Sequence, residues 1–313
     1  MNKIASGKSN AKIILIGEHS VVYGQPAIAT PLTAINTVVT LTNAASGQTI
    51  HSRYYDGPRS GLPQSMAGIA KLLTALDNQL QCQGQPWDMT IKSQLPAERG
   101  MGSSAAVAVA ITRAFFNRYE QPLDHELLLK LADVEEQITH RNPSGLDAAT
   151  SSVATPLWYI KNQTSQPLDS QLNAMMVIAD TGVKGATKDA IAGVSDQLQN
   201  HHEQAQALIQ HLGKLATGVR ICLAADEPKK LGILLNQAQV DLKRLTVSSP
   251  ELDHLCQVAL ANGALGAKLT GGGRGGCMYA LVQGRSKAVK LADQLKAAGA
   301  AETWLQQLGN GGD

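Results

Sequence analysis

The 313-residue chain has no excess of charge of either sign. Its 27 Lys and Arg stand against 25 Asp and Glu, a net charge of +2, so no field concentrates a phosphate polymer or an anionic bilayer. Neither nucleic acid nor membrane is expected as a partner. Long hydrophobic runs are missing too: the apolar runs, residues 13–16 and 175–179 among them, fall far short of the ~20 residues that span a bilayer. The four cysteines, Cys82, Cys222, Cys256 and Cys277, form no C-x-x-C pair, which makes reduced thiols the expectation. Lys3, Lys8 and Lys12 precede an apolar run of only four residues, not a secretory leader, and the chain reads as cytoplasmic. Internal repeats, low-complexity tracts and a Walker A loop are also absent; Gly7-Lys8-Ser9 has Asn2 where the first glycine would stand.

What the chain does have is enough apolar material to fold. Apolar residues make up 43% and charged residues 17%, against roughly 25% charged in an average soluble protein. At roughly 150 residues per domain the length suggests about two domains. Strands are predicted over 12–17, 35–42, 87–95, 158–160 and 175–179, and helices over 64–80, 105–116 and from Asp124 to 138. In the second half, single long helices are predicted over 184–212 and 228–245. The segment Ser165-Gln166-Pro167-Leu168-Asp169 is the linker candidate, giving domains 1–168 and 169–313.

Three elements carry the chemistry. Pro96-Ala97-Glu98-Arg99-Gly100-Met101-Gly102-Ser103-Ser104-Ala105-Ala106 joins a strand to a helix. It reads as an anion site, because glycines let the backbone approach a ligand and the helix's first N–H groups face it; a simple capped turn is the alternative. Gly100-x-Gly102-x-x-Ala105 also fits a relaxed dinucleotide fingerprint, but Glu120 falls in a polar turn instead of ending a strand, against that reading. Thr270-Gly271-Gly272-Gly273-Arg274-Gly275-Gly276-Cys277 has five glycines in eight residues, a density that marks backbone passing close to something else. A loop packed against the first anion site would explain both. The third element runs from Lys12 through Gly17-Glu18-His19-Ser20 to Gly24; Lys12 could equally be a snorkelling edge residue. His201, His202 and His211 show no metal-ligand spacing, and Asp124-His125-Glu126 lacks the second His of a zincin.

In this order the three elements resemble the motifs of the GHMP small-molecule kinases, the superfamily of galactokinase, homoserine kinase, mevalonate kinase and phosphomevalonate kinase. Together with His140-Arg141-Asn142-Pro143-Ser144-Gly145-Leu146-Asp147 and Ala179-Asp180-Thr181-Gly182-Val183, they look most like the members that phosphorylate mevalonate. Arg274 departs from the pattern, standing where a glycine is common. The resemblance implies an α+β, two-lobed fold, with a mixed N-terminal lobe, a ferredoxin-like C-terminal lobe and an active site in the cleft between them. It also implies ATP as phosphoryl donor, Mg²⁺, a mevalonate 5-hydroxyl as acceptor, and leaves a homodimer open. By motif position, Asp147 and Lys12 take the catalytic places. Gly100, Met101, Gly102, Ser103, Ser104 and Ala105 take the phosphate loop, and Ser104 with Glu136 the metal. Glu18, His19, Thr181, Gly272 and Gly273 fall where the family meets its substrate. Glu135 competes with Glu136, and since neighbours on a helix diverge by about 100°, only one is expected to face the site.

Overall fold

The computed structural model describes residues 4–96, 99–139 and 145–309; most of the His140 to Asp147 motif, and Ala97 and Glu98, lie outside them. The chain opens with strands β1 (Ala5–Ile16), β2 (Ala27–Thr42), β3 (Gln48–His51) and β4 (Asp56–Pro58). Helix α1 (Ala67–Leu80), strand β5 (Trp87–Ser93) and helices α2 (Ser103–Arg118), α3 (His125–Thr139) and α4 (Leu146–Ser151) follow. Next come β6 (Leu157–Tyr159), β7 (Gln166–Pro167), β8 (Ala174–Asp180), α5 (Thr187–Asn200), α6 (His202–Ala224), α7 (Pro228–Arg244) and α8 (Pro250–Ala261). The last elements are β9 (Gly266–Leu269), β10 (Cys277–Val282), α9 (Arg285–Ala297) and β11 (Glu302–Leu308).

Two compact units result. One takes residues up to 11, 35–97 and 102–154; the other takes 12–34, 98–101 and from 155 onward. This compactness does not follow the linear 1–168 and 169–313 division, because β1 and β2 are each long enough to begin in one unit and end in the other.

In the first unit, the C-terminal half of β2 runs antiparallel to β5, from Thr37 opposite Ser93 to Thr42 opposite Asp88. Strand β3 lies parallel on β5's other edge, with Gln48 opposite Trp87. Helix α1 turns Leu72, Leu73 and Leu76 inward at three- and four-residue spacing, all fully buried. Helix α2 is buried on almost every face, from Ala105 to Phe116, which is why its residues are mostly small. At Gly7 the strand β1 passes so close to α2 that a Cβ would stand 2.1 Å from the Ala110 carbonyl oxygen. Trp87 meets Phe115 edge to face, with ring centroids 5.8 Å apart; removing the Phe115 ring would cost ~3–5 kcal/mol. Asp124 caps α3 as expected, accepting from the Leu127 N–H at 2.8 Å.

The second unit is built on a four-stranded antiparallel sheet in the order β11-β8-β10-β9. With α5 to α8 between β8 and β9, and α9 between β10 and β11, this is the ferredoxin-like arrangement. Strand β8 is buried at every position, as its unbroken apolar run requires. The helix predicted over 184–212 is in fact two. His201, at φ −137° and ψ 50°, ends α5 and starts α6, in a polar Asn-His-His stretch of weak helix formers. Helix α8 starts where Ser249 accepts from the Leu252 N–H and Pro250 takes the first turn. All four cysteines are free and buried. No helix among the described residues is long and apolar enough to cross a membrane.

Candidate active site

In the first unit the site residues gather at the start of α2. Gly102, at φ 70°, occupies the N-cap position with no side-chain hydrogen bond, and the ladder begins with the Ala106 N–H on the Gly102 carbonyl at 2.9 Å. No side chain of the cap therefore competes for the first-turn N–H groups, at the positive end of a 16-residue helix. Ser103 and Ser104 are half-buried there, and Ala105 is packed beneath them. The Ser104 hydroxyl donates to the Glu135 carboxylate. Glu135 lies against α1 at Gly68, where a Cβ would come within 2.9 Å of its Oε1, so this glycine makes room for a carboxylate. Glu136 is buried as well. The 100° offset thus expels neither acid, and the contact to Ser104 goes to Glu135.

Asp147 is the second residue of α4, and the N-cap is Gly145 at φ 68°. The N-cap position open to Asp147 from sequence is therefore occupied by Gly145, two residues earlier. Helix α4 packs on α2 and α3, which fixes where the carboxylate stands in this unit.

The second unit assembles the remaining residues around the ends of β1 and β9. Lys12 is 2% exposed, unlike a snorkelling lysine, and its N–H donates to the Met101 carbonyl at 3.0 Å. Strand β1 ends just before Gly17, where φ is 103° and a Cβ would stand 2.5 Å from that of Ala27. Glu18 then turns fully inside, where its Oε1 pairs with the Lys268 ammonium of β9. Lys268 also donates to the Leu269 carbonyl at 2.6 Å and lies 5.3 Å from the centre of the Tyr279 ring. The Tyr279 hydroxyl in turn donates to the Leu15 carbonyl. Burial pushes the Glu18 carboxyl up and the Lys268 ammonium down, each opposed by the charge of the other.

His19 follows with φ 58°, and its Nε2 is 2.9 Å from the Gly272 carbonyl oxygen. A carbonyl only accepts, so Nε2 carries the proton and Nδ1 is left as the acceptor of the neutral ring. Burial, then the charges of Arg274 and Lys268, lower the His19 pKa against the opposing bond to Gly272.

The glycine run from Gly271 to Gly276 packs where close approach demands it. A Cβ on Gly271 would stand 2.8 Å from the Gly100 Cα, one on Gly276 2.9 Å from the Arg99 carbonyl oxygen, and one on Gly273 2.0 Å from that of Val247. Gly272 is pressed on Thr187 of α5. The glycine loop thus lies on the Arg99-Gly100 segment, as the sequence pattern suggested. Arg274 keeps the left-handed backbone of a glycine, φ 53°, with its N–H on the Val247 carbonyl at 2.8 Å and Nε on that of Thr246 at 3.2 Å. The Thr181 hydroxyl donates to the Gly276 carbonyl at 2.7 Å. Arg99 bonds Asp180 at 2.9 Å through Nε and the Gly182 carbonyl at 3.0 Å through Nη2.

Lys268, Tyr279, Arg99 and Asp180 were not among the residues singled out from sequence. Lys268 had a local signal, a lysine inside the otherwise apolar Leu265 to Thr270 run. Its pairing with Glu18, 250 positions away, had none.

Residues 67–155 match the GHMP kinases N terminal domain and residues 220–301 the GHMP kinases C terminal domain. Mevalonate kinase of Pyrococcus horikoshii is 34% identical, over 96% of this chain and 94% of its own length. Among solved structures, the L. major mevalonate kinase in complex with R-mevalonate superposes with a TM-score of 0.85 at 26% identity, covering 98% of this chain and 97% of that one. Mevalonate kinase from methicillin-resistant Staphylococcus aureus gives a TM-score of 0.77 at 32% identity, covering 98% of this chain and all of that one. With this similarity running along nearly its whole length, the chain belongs to the mevalonate kinase family of the GHMP kinases.

Proposed function

We propose that the chain transfers the terminal phosphoryl group of ATP to the 5-hydroxyl of (R)-mevalonate, giving 5-phosphomevalonate and ADP in the mevalonate route to isoprenoids. The observation that carries this reading is similarity to mevalonate kinases along nearly the whole chain, with the motif residues standing on the elements that such chemistry needs.

Phosphoryl transfer asks a protein chiefly for positioning and charge neutralisation. The N–H groups at the start of α2, with Gly100, Met101, Gly102, Ser103, Ser104 and Ala105, supply the donors for the phosphates of ATP. Asp147 orients the mevalonate hydroxyl and takes its proton as the new O–P bond forms and the bond to the β-phosphate oxygen breaks, releasing ADP. Lys12 offsets charge on the phosphoryl group in flight. His19, Thr181, Gly272 and Gly273, with Glu18 behind them, serve the mevalonate side.

The residues fit magnesium. Ser104 and Glu136 are hard oxygen donors, and with its proton committed to Glu135 the Ser104 hydroxyl keeps its lone pairs for a cation. No group of three or more His, Cys, Asp or Glu among the described residues could hold a metal. Mg²⁺ commonly binds through one or two protein oxygens together with substrate phosphates. Such an ion would neutralise charge on the ATP phosphates. The same reading places the enzyme in the cytoplasm, with a homodimer as the assembly to test by light scattering.

ADP release with magnesium ATP, measured against mevalonate, phosphomevalonate, homoserine and galactose in parallel, tests the assignment. Mevalonate is expected to give the highest kcat/KM. A higher value for phosphomevalonate or homoserine would transfer the chain to a neighbouring activity.

A further inference from the structure

The Glu18–Lys268 pair is a poor device for stability. Both side chains are wholly buried, and a buried pair repays its desolvation only when the remaining polar atoms are also satisfied. Here Glu18 Oε2 is buried and has no hydrogen-bond partner among the described residues, so one oxygen of the carboxylate carries the bonding seen. Two apolar residues of similar volume would hold the same space at no such cost. The pair's connections suggest another use. Lys268 is bonded to the Leu269 carbonyl, immediately before the Thr270 to Gly276 loop. The Thr270 hydroxyl donates to the Ile14 carbonyl at 2.9 Å and accepts from the Ile14 N–H at 3.0 Å, clamping that loop to β1. Glu18 is covalently joined to His19, whose ring closes the circle on Gly272.

We propose that Lys268 is a positioning residue for the acceptor substrate: its ammonium holds Glu18 inward, and this sets the strained His19 turn and the Gly272 carbonyl against each other. The inference deepens the proposed function and rests on it, since His19 and Gly272 are the residues that reading gives to mevalonate. Glu18 then acts from behind the site by holding His19. Because the ring's Nε2–H is occupied by Gly272, the free Nδ1 and the direction it points are what the pair controls.

The experiment measures melting temperature, kcat, and KM for mevalonate and for ATP in the wild type, in Lys268→Met, and in the Glu18→Gln/Lys268→Met double variant. Lys268→Met strands a buried carboxylate and is expected to lower the melting temperature as well as raise the mevalonate KM. The double variant removes both charges at nearly constant volume. It is expected to regain most of the lost melting temperature while its mevalonate KM stays raised by roughly tenfold or more, the scale of a lost charged hydrogen bond, and its ATP KM moves much less. Recovery of both melting temperature and mevalonate KM would overturn the proposal, leaving the pair structural. Equal changes in the two KM values, or a double variant that does not fold, would overturn it too. A wild type that does not phosphorylate mevalonate would instead strike at the proposed function, so the two failures are told apart by the control.

Discussion

The start of α2 and the end of β9 handle charge in opposite ways. At α2, backbone N–H groups and two serine hydroxyls stand half-buried under a glycine cap that offers no side chain. At β9, an ammonium and a carboxylate are sealed together with no exposure at all. The first arrangement keeps its electrostatic capacity for a ligand; the second spends it inside the protein. If the proposed roles hold, a site for a polyanion needs few full charges of its own, and the full charges buried at β9 serve to fix backbone shape. Gly102 and Gly68 serve the open arrangement, one by its left-handed backbone and the other by making room for Glu135. The sealed arrangement depends on a strand register that brings Lys268 opposite Tyr279.

The contrast can be tested from its strongest point downward. Asp147→Asn removes the proton acceptor but not the α4 cap, which is Gly145. A loss of ~10²–10⁴-fold in kcat is expected, with melting temperature unchanged; single-turnover rates check it, and a variant retaining a large part of wild-type kcat would make Asp147 merely structural. Next, Glu136→Gln should raise the magnesium concentration for half-maximal turnover more than Glu135→Gln does. In the latter variant the side-chain amide oxygen could still accept from Ser104, and residues that only support a ligand are typically worth ~10–100-fold in metal affinity. Magnesium titrations of the two variants decide it, and the reverse order would give the metal to Glu135.

A smaller effect follows from acid. His19 has a pKa lowered from its ordinary 6.5 by burial and by the charges of Arg274 and Lys268. Its contribution to stability is therefore present above pH 6.5 and lost as pH falls through 6.5 toward the folded-state value. Melting temperatures between pH 8 and pH 5 should fall on the acid side less steeply in His19→Gln than in the wild type; identical slopes would show that the ring titrates freely. The smallest effect is expected of Arg274→Gly. Glycine removes a left-handed backbone cost of ~1–2 kcal/mol but loses the bond to Thr246, worth about 1 kcal/mol. Chemical denaturation should show a net change within ~1 kcal/mol, these two effects nearly cancelling, with kcat unaltered.

The two regions were not equally legible in the sequence. The strand-to-helix turn before α2 was, because strand, glycine pair, serines and Ala-rich helix are consecutive and each has a local physical reason. The glycine run was legible as a close approach, and Gly100 is what it approaches. The choice between Glu135 and Glu136 was not settled by periodicity, since a helix packed against α1, α2 and α4 has an interior wide enough for both. The pairing of Glu18 with Lys268 left no local trace, because it exists only once the turn after β1 meets β9 in the folded chain. Periodicity also ran past His201, where a break of one residue hardly disturbs the pattern of apolar positions on either side.

The return of residues 12–34 to the unit otherwise formed from 155 onward has a consequence for the ribosome. The Ile14 backbone finds its partner in Thr270, 256 positions later, so an early-synthesised apolar strand must wait until most of the chain has emerged. At ~5–20 residues per second that wait lasts on the order of tens of seconds, during which Ile13, Leu15 and Ile16, all buried in the finished fold, have no native cover from that unit. The nascent protein is thus a natural client for a holdase acting on its first strand. For the same reason a fragment beginning at Thr155 would lack the strand that completes its own interior.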